Sequence, residues 1–235
     1  MFSSCNYLNP KPESSQQSLD YTEAKNEKNK FDNYGVLHNQ TLEYLGKEFG
    51  TNLNKTSLPE VKLKLNEFAK NLGYNLNDAD CVLIEQLKGC EKKGSLGFKP
   101  GGCIQDPYCI LFPKKCDFFD WLFKSWTDET IKDASKIRLF IAECKIKEEE
   151  ILNDTNLTSR EKDNGLKAIS VARYSSVYWF NQNINLSTSV WFSDPTVLNP
   201  QGLCWYCVVG VDALGGALGG PFGAGLASGI YIGSK

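Results

Sequence analysis

The chain has 235 residues, 41% hydrophobic and 23% charged, with a formal net charge of −2; this is the balance of an ordinary globular protein with one sizeable core or two small ones, and it excludes disorder over most of the length. Only three of the 26 basic residues are arginine (Arg138, Arg160 and Arg173), and no basic stripe carries interleaved aromatics, which argues against a nucleic-acid partner. Nine cysteines are many for a reducing compartment; with Cys5 set aside, the even set Cys81, Cys90, Cys103, Cys109, Cys116, Cys144, Cys204 and Cys207 suits a disulfide framework whose pairing the sequence leaves open.

In chain order, the first segment is polar. Residues 1–29 are rich in Asn, Ser, Gln, Glu and Lys and read as a disordered tether. Phe2-Ser3-Ser4-Cys5 resembles the last residues of a bacterial lipobox, in the loose form common among lipoproteins of the Bacteroidota. The resemblance implies lipidation of Cys5, attachment to a membrane through that lipid, and an apolar signal lying upstream of Met1.

Period-3.6 patterning begins at Phe31. Phe31, Tyr34, His38, Leu42, Leu45 and Phe49 share one helical face that stops at Gly50. Ser57-Leu58-Pro59-Glu60 is a capping box with proline in the first turn, opening a helix that carries Val61, Leu65, Phe68 and Leu72 to Gly73. A third helix is predicted over 78–88. Glycines and prolines across 89–116 exclude a long helix there and predict a cysteine-rich irregular insertion, in which each bridge would contribute about 2–4 kcal/mol. A long helix follows over 118–153 with Ile131, Ala134, Ile137, Ile141 and Cys144 inward. Thr158-Ser159-Arg160-Glu161 opens another, aligning Leu166, Ile169, Ala172, Val177 and Phe180. Leu186–Phe192 is a weak strand candidate. The fold class is all-α: a helical bundle over 30–200, the irregular insertion within it, and a glycine-rich C-terminal helical hairpin over 201–235.

That last segment is the most distinctive. Ten of the 20 glycines lie between Gly202 and Gly233, and residues 213–232 carry no charge. Gly215, Gly219 and Gly223, Gly216 and Gly220, and Gly225, Gly229 and Gly233 recur at four-residue steps, the spacing of helix–helix packing through small residues. Each glycine costs roughly 0.8–1 kcal/mol relative to alanine in a solvated helix, so a tight, water-poor surrounding must compensate. Three settings remain open: a hairpin bent at Gly220-Pro221 and buried in the fold, insertion in a membrane, or a flexible tail. Asp212 at its entry is awkward for hydrocarbon.

The run from Asp212 to Ser228 is similar to the glycine-zipper tails of bacteriocin-like peptides. Together with Phe31-Asp32-Asn33-Tyr34-Gly35-Val36-Leu37-His38-Asn39, it resembles uncharacterised Bacteroidota lipoproteins that pair such a tail with an early Phe-Asp-x-x-Gly-x-x-His-Asn helix. The likeness implies a location in the cell envelope and no particular chemistry.

No catalytic constellation stands out. His38 is the sole histidine, and histidine catalysis would need it beside a cysteine with Asn39 as orienter; its place on an apolar face favours a core histidine satisfied by a hydrogen bond. Cys204-Trp205-Tyr206-Cys207 has the spacing of a dithiol or zinc site, but lacks a preceding strand or a second such pair, so structural bridges are preferred to free thiols, metal or redox chemistry. Glu148-Glu149-Glu150 reads as a solvated helix face. The expected function is a cell-envelope lipoprotein, without metal or cofactor, whose glycine-rich tail serves packing, oligomerisation or membrane contact; a protein partner or second copy is possible. The alternative is a secreted, bacteriocin-like membrane-active protein.

Overall fold

The computed structural model describes residues 17–53, 55–76, 132–192 and 205–233. Their regular structure is all helical: α1 (Asp32–Glu48), α2 (Leu58–Asn71), α3 (Ala134–Asn153), α4 (Ser159–Ile184) and α5 (Trp205–Gly233), with short 3-10 turns at Tyr21–Ala24, Gly50–Asn52 and Leu186–Thr188. The candidate strand at Leu186–Phe192 is such a turn, after which Trp191 and Phe192 are buried. The expected helix over 78–88, the irregular insertion and the first part of the helix over 118–153 lie outside the described residues; the last part is α3.

Local signals set the helix ends. Ser57 Oγ accepts from the Glu60 amide, and Gly73 terminates α2 with φ of 82°. Thr158 and Glu161 cap each other's backbone amides at the start of α4. The Asp133 carboxylate caps α3 through the Ser135 amide at 2.8 Å.

Helices α4 and α5 form the interior. In α4, Leu166 and every residue from Ala168 to Phe180 are buried, with α1, α3 and α5 packed around it. The same core takes in Leu42 and Leu45 of α1, Ile137, Phe140 and Ile141 of α3, and Val208, Leu214 and Leu226 of α5. Helix α2 contributes Val61, Leu65 and Ala69 to it, and its half-buried Phe68 stacks on Tyr44 at 4.4 Å and meets Phe222 edge-on. Described residues of the glycine-rich segment therefore share one core with the bundle.

The polar tether is shorter than its composition suggests. Leu19 and Ala24 are buried, and the Leu19 amide and carbonyl both bond to the Asn181 side chain, at 2.8 and 2.9 Å. Glu23 pairs with Arg138 at 2.7 Å. From residue 17 onward the segment is part of the body, because two apolar residues and a few specific partners outweigh its polar average.

Helix α5 breaks at Gly220, whose φ of 67° and ψ of −174° are accessible to glycine without penalty, and Pro221 follows. Beyond the break, Ser228 Oγ lies on the Asp212 carboxylate and near the Val208 carbonyl. A Cβ on Gly215 would sit 2.6 Å from the Ala224 Cα. These contacts bring the two halves of α5 against each other. Among the described residues, no helix is long and apolar enough to cross a membrane.

Candidate functional site: two buried polar centres around α4

The first centre joins the two ends of the chain. His38 of α1 and Asp212 of α5 have wholly buried side chains, with Nε2 3.0 Å from Oδ1. Ser228 donates to Oδ1; Ser175 Oγ and Trp179 Nε1 donate to Oδ2 at 2.5 and 3.0 Å. On the other side of the imidazole, Asn39 Nδ2 donates to the Tyr174 carbonyl at 3.0 Å. That fixes the amide so that its Oδ1, an acceptor, faces His38 Nδ1 at 2.9 Å. Nε2 lies close to the carboxylate without the alignment of a hydrogen bond and has no other partner. Asp212 thus sits in apolar surroundings only because three donors and the imidazole converge on it.

The second centre lies one turn away along α4. Arg173, fully buried, donates through Nη2 to Asp32 at 2.7 Å and to Glu148 at 2.9 Å, and through Nε to Glu148 at 3.2 Å. Asn26 and Asn29 each donate to Glu148 at 2.5 Å, and the Tyr174 hydroxyl donates to Asp32 at 2.9 Å. Nη1 of Arg173 has no hydrogen-bond partner. Burial pushes the Glu148 carboxyl above its ordinary range, opposed by Arg173 and the two amides. So Glu148, placed on a solvated face by its neighbours in sequence, points inward. The same environment holds the Cys144 thiol, where burial drives its pKa well up.

Chemically, neither centre is laid out for nucleophilic catalysis. In a serine triad the histidine stands between hydroxyl and carboxylate. Here the carboxylate stands in the middle, and both serine hydroxyls give their protons to it rather than to the imidazole. With His38 and Asp212 wholly buried, no substrate atom can approach them. Asn39 does orient His38, but its partner is Asp212. Among the described residues no cluster of His, Cys, Asp and Glu could hold a metal ion.

The predicted site residues divide as follows. Cys144, a disulfide candidate, is a free buried thiol in α3; its neighbours are core side chains and the Arg173 centre. Cys207 falls in the first turn of α5. Cys5, Cys81, Cys90, Cys103, Cys109, Cys116 and Cys204 lie outside the described residues. Gly215, Gly216, Gly219, Gly220, Gly223, Gly225, Gly229 and Gly233 all lie in α5, but those with close neighbours serve different partners. Gly215 admits Ala224, Gly216 admits Val171 of α4, Gly225 admits Thr41 of α1, and Gly229 admits Leu53 and Trp191. Composition did not single out Arg173 or the link between His38 and Asp212. The available signal was Arg173 as the one charge in the run 168–180 of α4 and Asp212 as the one charge in α5.

No family model, curated protein or solved structure matches this chain. Its own geometry carries the functional argument.

Proposed function

We propose that the chain is a non-enzymatic cell-envelope lipoprotein, anchored through Cys5, whose helical body has a structural or protein-binding role. In this reading the glycine-rich segment is a helical hairpin used for internal packing, and the bundle stands clear of the membrane on its lipid. One observation carries it: the notches left by Gly215, Gly216 and Gly225 are filled by Ala224, Val171 and Thr41 of the same chain. A membrane-active tail would have to withdraw Asp212 from four partners and reopen each of those contacts. The Asp212-centred geometry also speaks for a non-catalytic core.

Detergent-phase partitioning tests this directly. The lipidated protein should enter the detergent phase, and Cys5→Ala should stay in the aqueous phase with the C-terminal segment intact. Palmitate label should be present in the first and absent from the second. A Cys5→Ala protein that still partitions into detergent would overturn the packing role and favour the secreted, membrane-active alternative.

A further inference from the structure

A groove of about 690 Å³ opens between α1, α2 and α4, within the usual size of a small-molecule site. Five aromatic residues line it: Tyr21, Tyr44, Phe68, Tyr174 and Tyr178. The hydroxyls of three of them are already engaged. The Tyr44 hydroxyl donates to the Lys64 carbonyl at 3.2 Å, that of Tyr174 to Asp32 at 2.9 Å, and that of Tyr178 to Glu43 at 3.4 Å while accepting from Trp191. What the groove offers a guest is ring surface from the exposed Tyr21 and the half-buried, mutually stacked Tyr44 and Phe68, while Tyr174 and Tyr178 are buried.

One carboxylate, Glu43, stands in this aromatic wall. Its resident counter-ion is Lys47, 3.1 Å away and one turn along α1, with 64% of that side chain exposed. An exposed pair of this kind contributes little and is easily exchanged. The negative field of Glu43 reaches a neighbouring ring: after burial, it is the main influence raising the phenol pKa of Tyr178. Aromatic surface combined with one replaceable carboxylate matches a large, weakly hydrated organic cation better than an anion or a neutral polar molecule.

We propose that this groove is a binding site for a small soluble organic cation of the quaternary-ammonium class, held by the aromatic rings and Glu43 in place of Lys47. The recognised group is the alkylated ammonium, whose positive charge is spread over its methyl surface and is cheaply desolvated against rings.

Titration calorimetry on the full chain with choline tests it, with 3,3-dimethylbutanol as the uncharged isostere. Choline should bind, and the alcohol should bind at least ten-fold more weakly. Glu43→Gln should weaken choline at least ten-fold, while Lys47→Met, which removes the competing cation, should tighten it several-fold. Circular dichroism and thermal unfolding check that both variants fold. Absence of choline binding, equal binding of the alcohol, or unchanged affinity in Glu43→Gln would each overturn the proposal. Binding to phosphatidylcholine vesicles without binding of free choline would overturn the assignment to a soluble ligand. These outcomes do not depend on lipidation of Cys5.

Discussion

Replacing Gly215 with alanine tests whether the halves of α5 rest on each other. An added Cβ would lie 2.6 Å from the Ala224 Cα and 3.1 Å from its amide nitrogen, where ordinary contact begins at 3.4 Å. The obstacle is backbone, so no side-chain rotation relieves it, and the two halves must separate by about 0.8 Å. A gap of that size forfeits roughly a quarter to a half of each van der Waals contact across the seam. Overpacking costs about 1–3 kcal/mol, opposed by the gain of about 0.8–1 kcal/mol when alanine replaces glycine in a helix. The net expectation is a loss of up to about 2 kcal/mol, or a fall in Tm of up to roughly 8 °C for a chain of this size. Urea unfolding followed by far-ultraviolet circular dichroism measures it. Gly225→Ala should behave alike, since Thr41 stands 2.7 Å from its added Cβ and is held by a 2.8 Å bond to the Leu37 carbonyl. If Gly215→Ala were more stable than the parent by the full gain of about 0.8–1 kcal/mol, helix propensity alone would be acting, and the packing argument would fail.

Arg173→Met should lower stability by about 3–5 kcal/mol in the same assay, because it leaves Glu148 buried without its cation. Arg173→Lys should recover only part of this, since an ammonium cannot span Asp32 and Glu148 as the planar fork does. Burial first, then Glu43 or Asp32, raises the phenols of the buried Tyr174 and Tyr178 above 10.0. The folded protein keeps those protons after the unfolded chain has begun to release them. Stability is therefore unaffected below about pH 10 and is lost as pH climbs through the folded values. Ultraviolet titration should show a late group of tyrosines ionising together with the loss of helix; smooth, independent ionisation of all of them would contradict this burial. Cys144 should resist a maleimide reagent in the native protein and react once it is unfolded; rapid native labelling would contradict its buried, protonated state.

How far the sequence reveals this fold depends on the kind of signal. Caps at Ser57 and Thr158, the stop at Gly73 and the break at Gly220 are local, and a few adjacent residues determine each. The apolar face of α1 is equally legible because period 3.6 reports burial on one side. Periodicity fails for α4, which is buried all round through Ser170, Arg173, Ser175 and Ser176 as well as its apolar residues. Ser176 bonds locally to the Arg173 carbonyl, but the other three become acceptable in the core only through partners 25 to 141 residues away, such as Glu148 and Asp32, and no short window on the chain contains both members. Residues 17–29 mislead for the same reason: their composition is that of a tether, while Leu19, Asn26 and Asn29 are held by α3 and α4. The glycine steps in α5 correctly signal close packing, but spacing alone does not say that Gly215, Gly216 and Gly225 face three different neighbours.

Residues 208–217, 219 and 221–229 of α5 are all buried. Hydrophobicity alone therefore scarcely distinguishes one rotation of the helix from another. The Asp212 centre supplies that distinction. A shift of one residue turns the carboxylate by about 100° away from His38, Ser175 and Trp179, leaving a buried charge that costs several kcal/mol. On this argument the pair specifies register more than it adds stability. Asp212→Ala alone should lose about 3–5 kcal/mol by stranding its donors, whereas His38→Leu combined with Asp212→Leu should come closer to the parent in stability while relaxing uniqueness. Broadened or doubled amide resonances for α1 and α5 in the double variant would be the signature of sliding register. A single sharp set would mean that the glycine notches fix α5 without help from the buried charge.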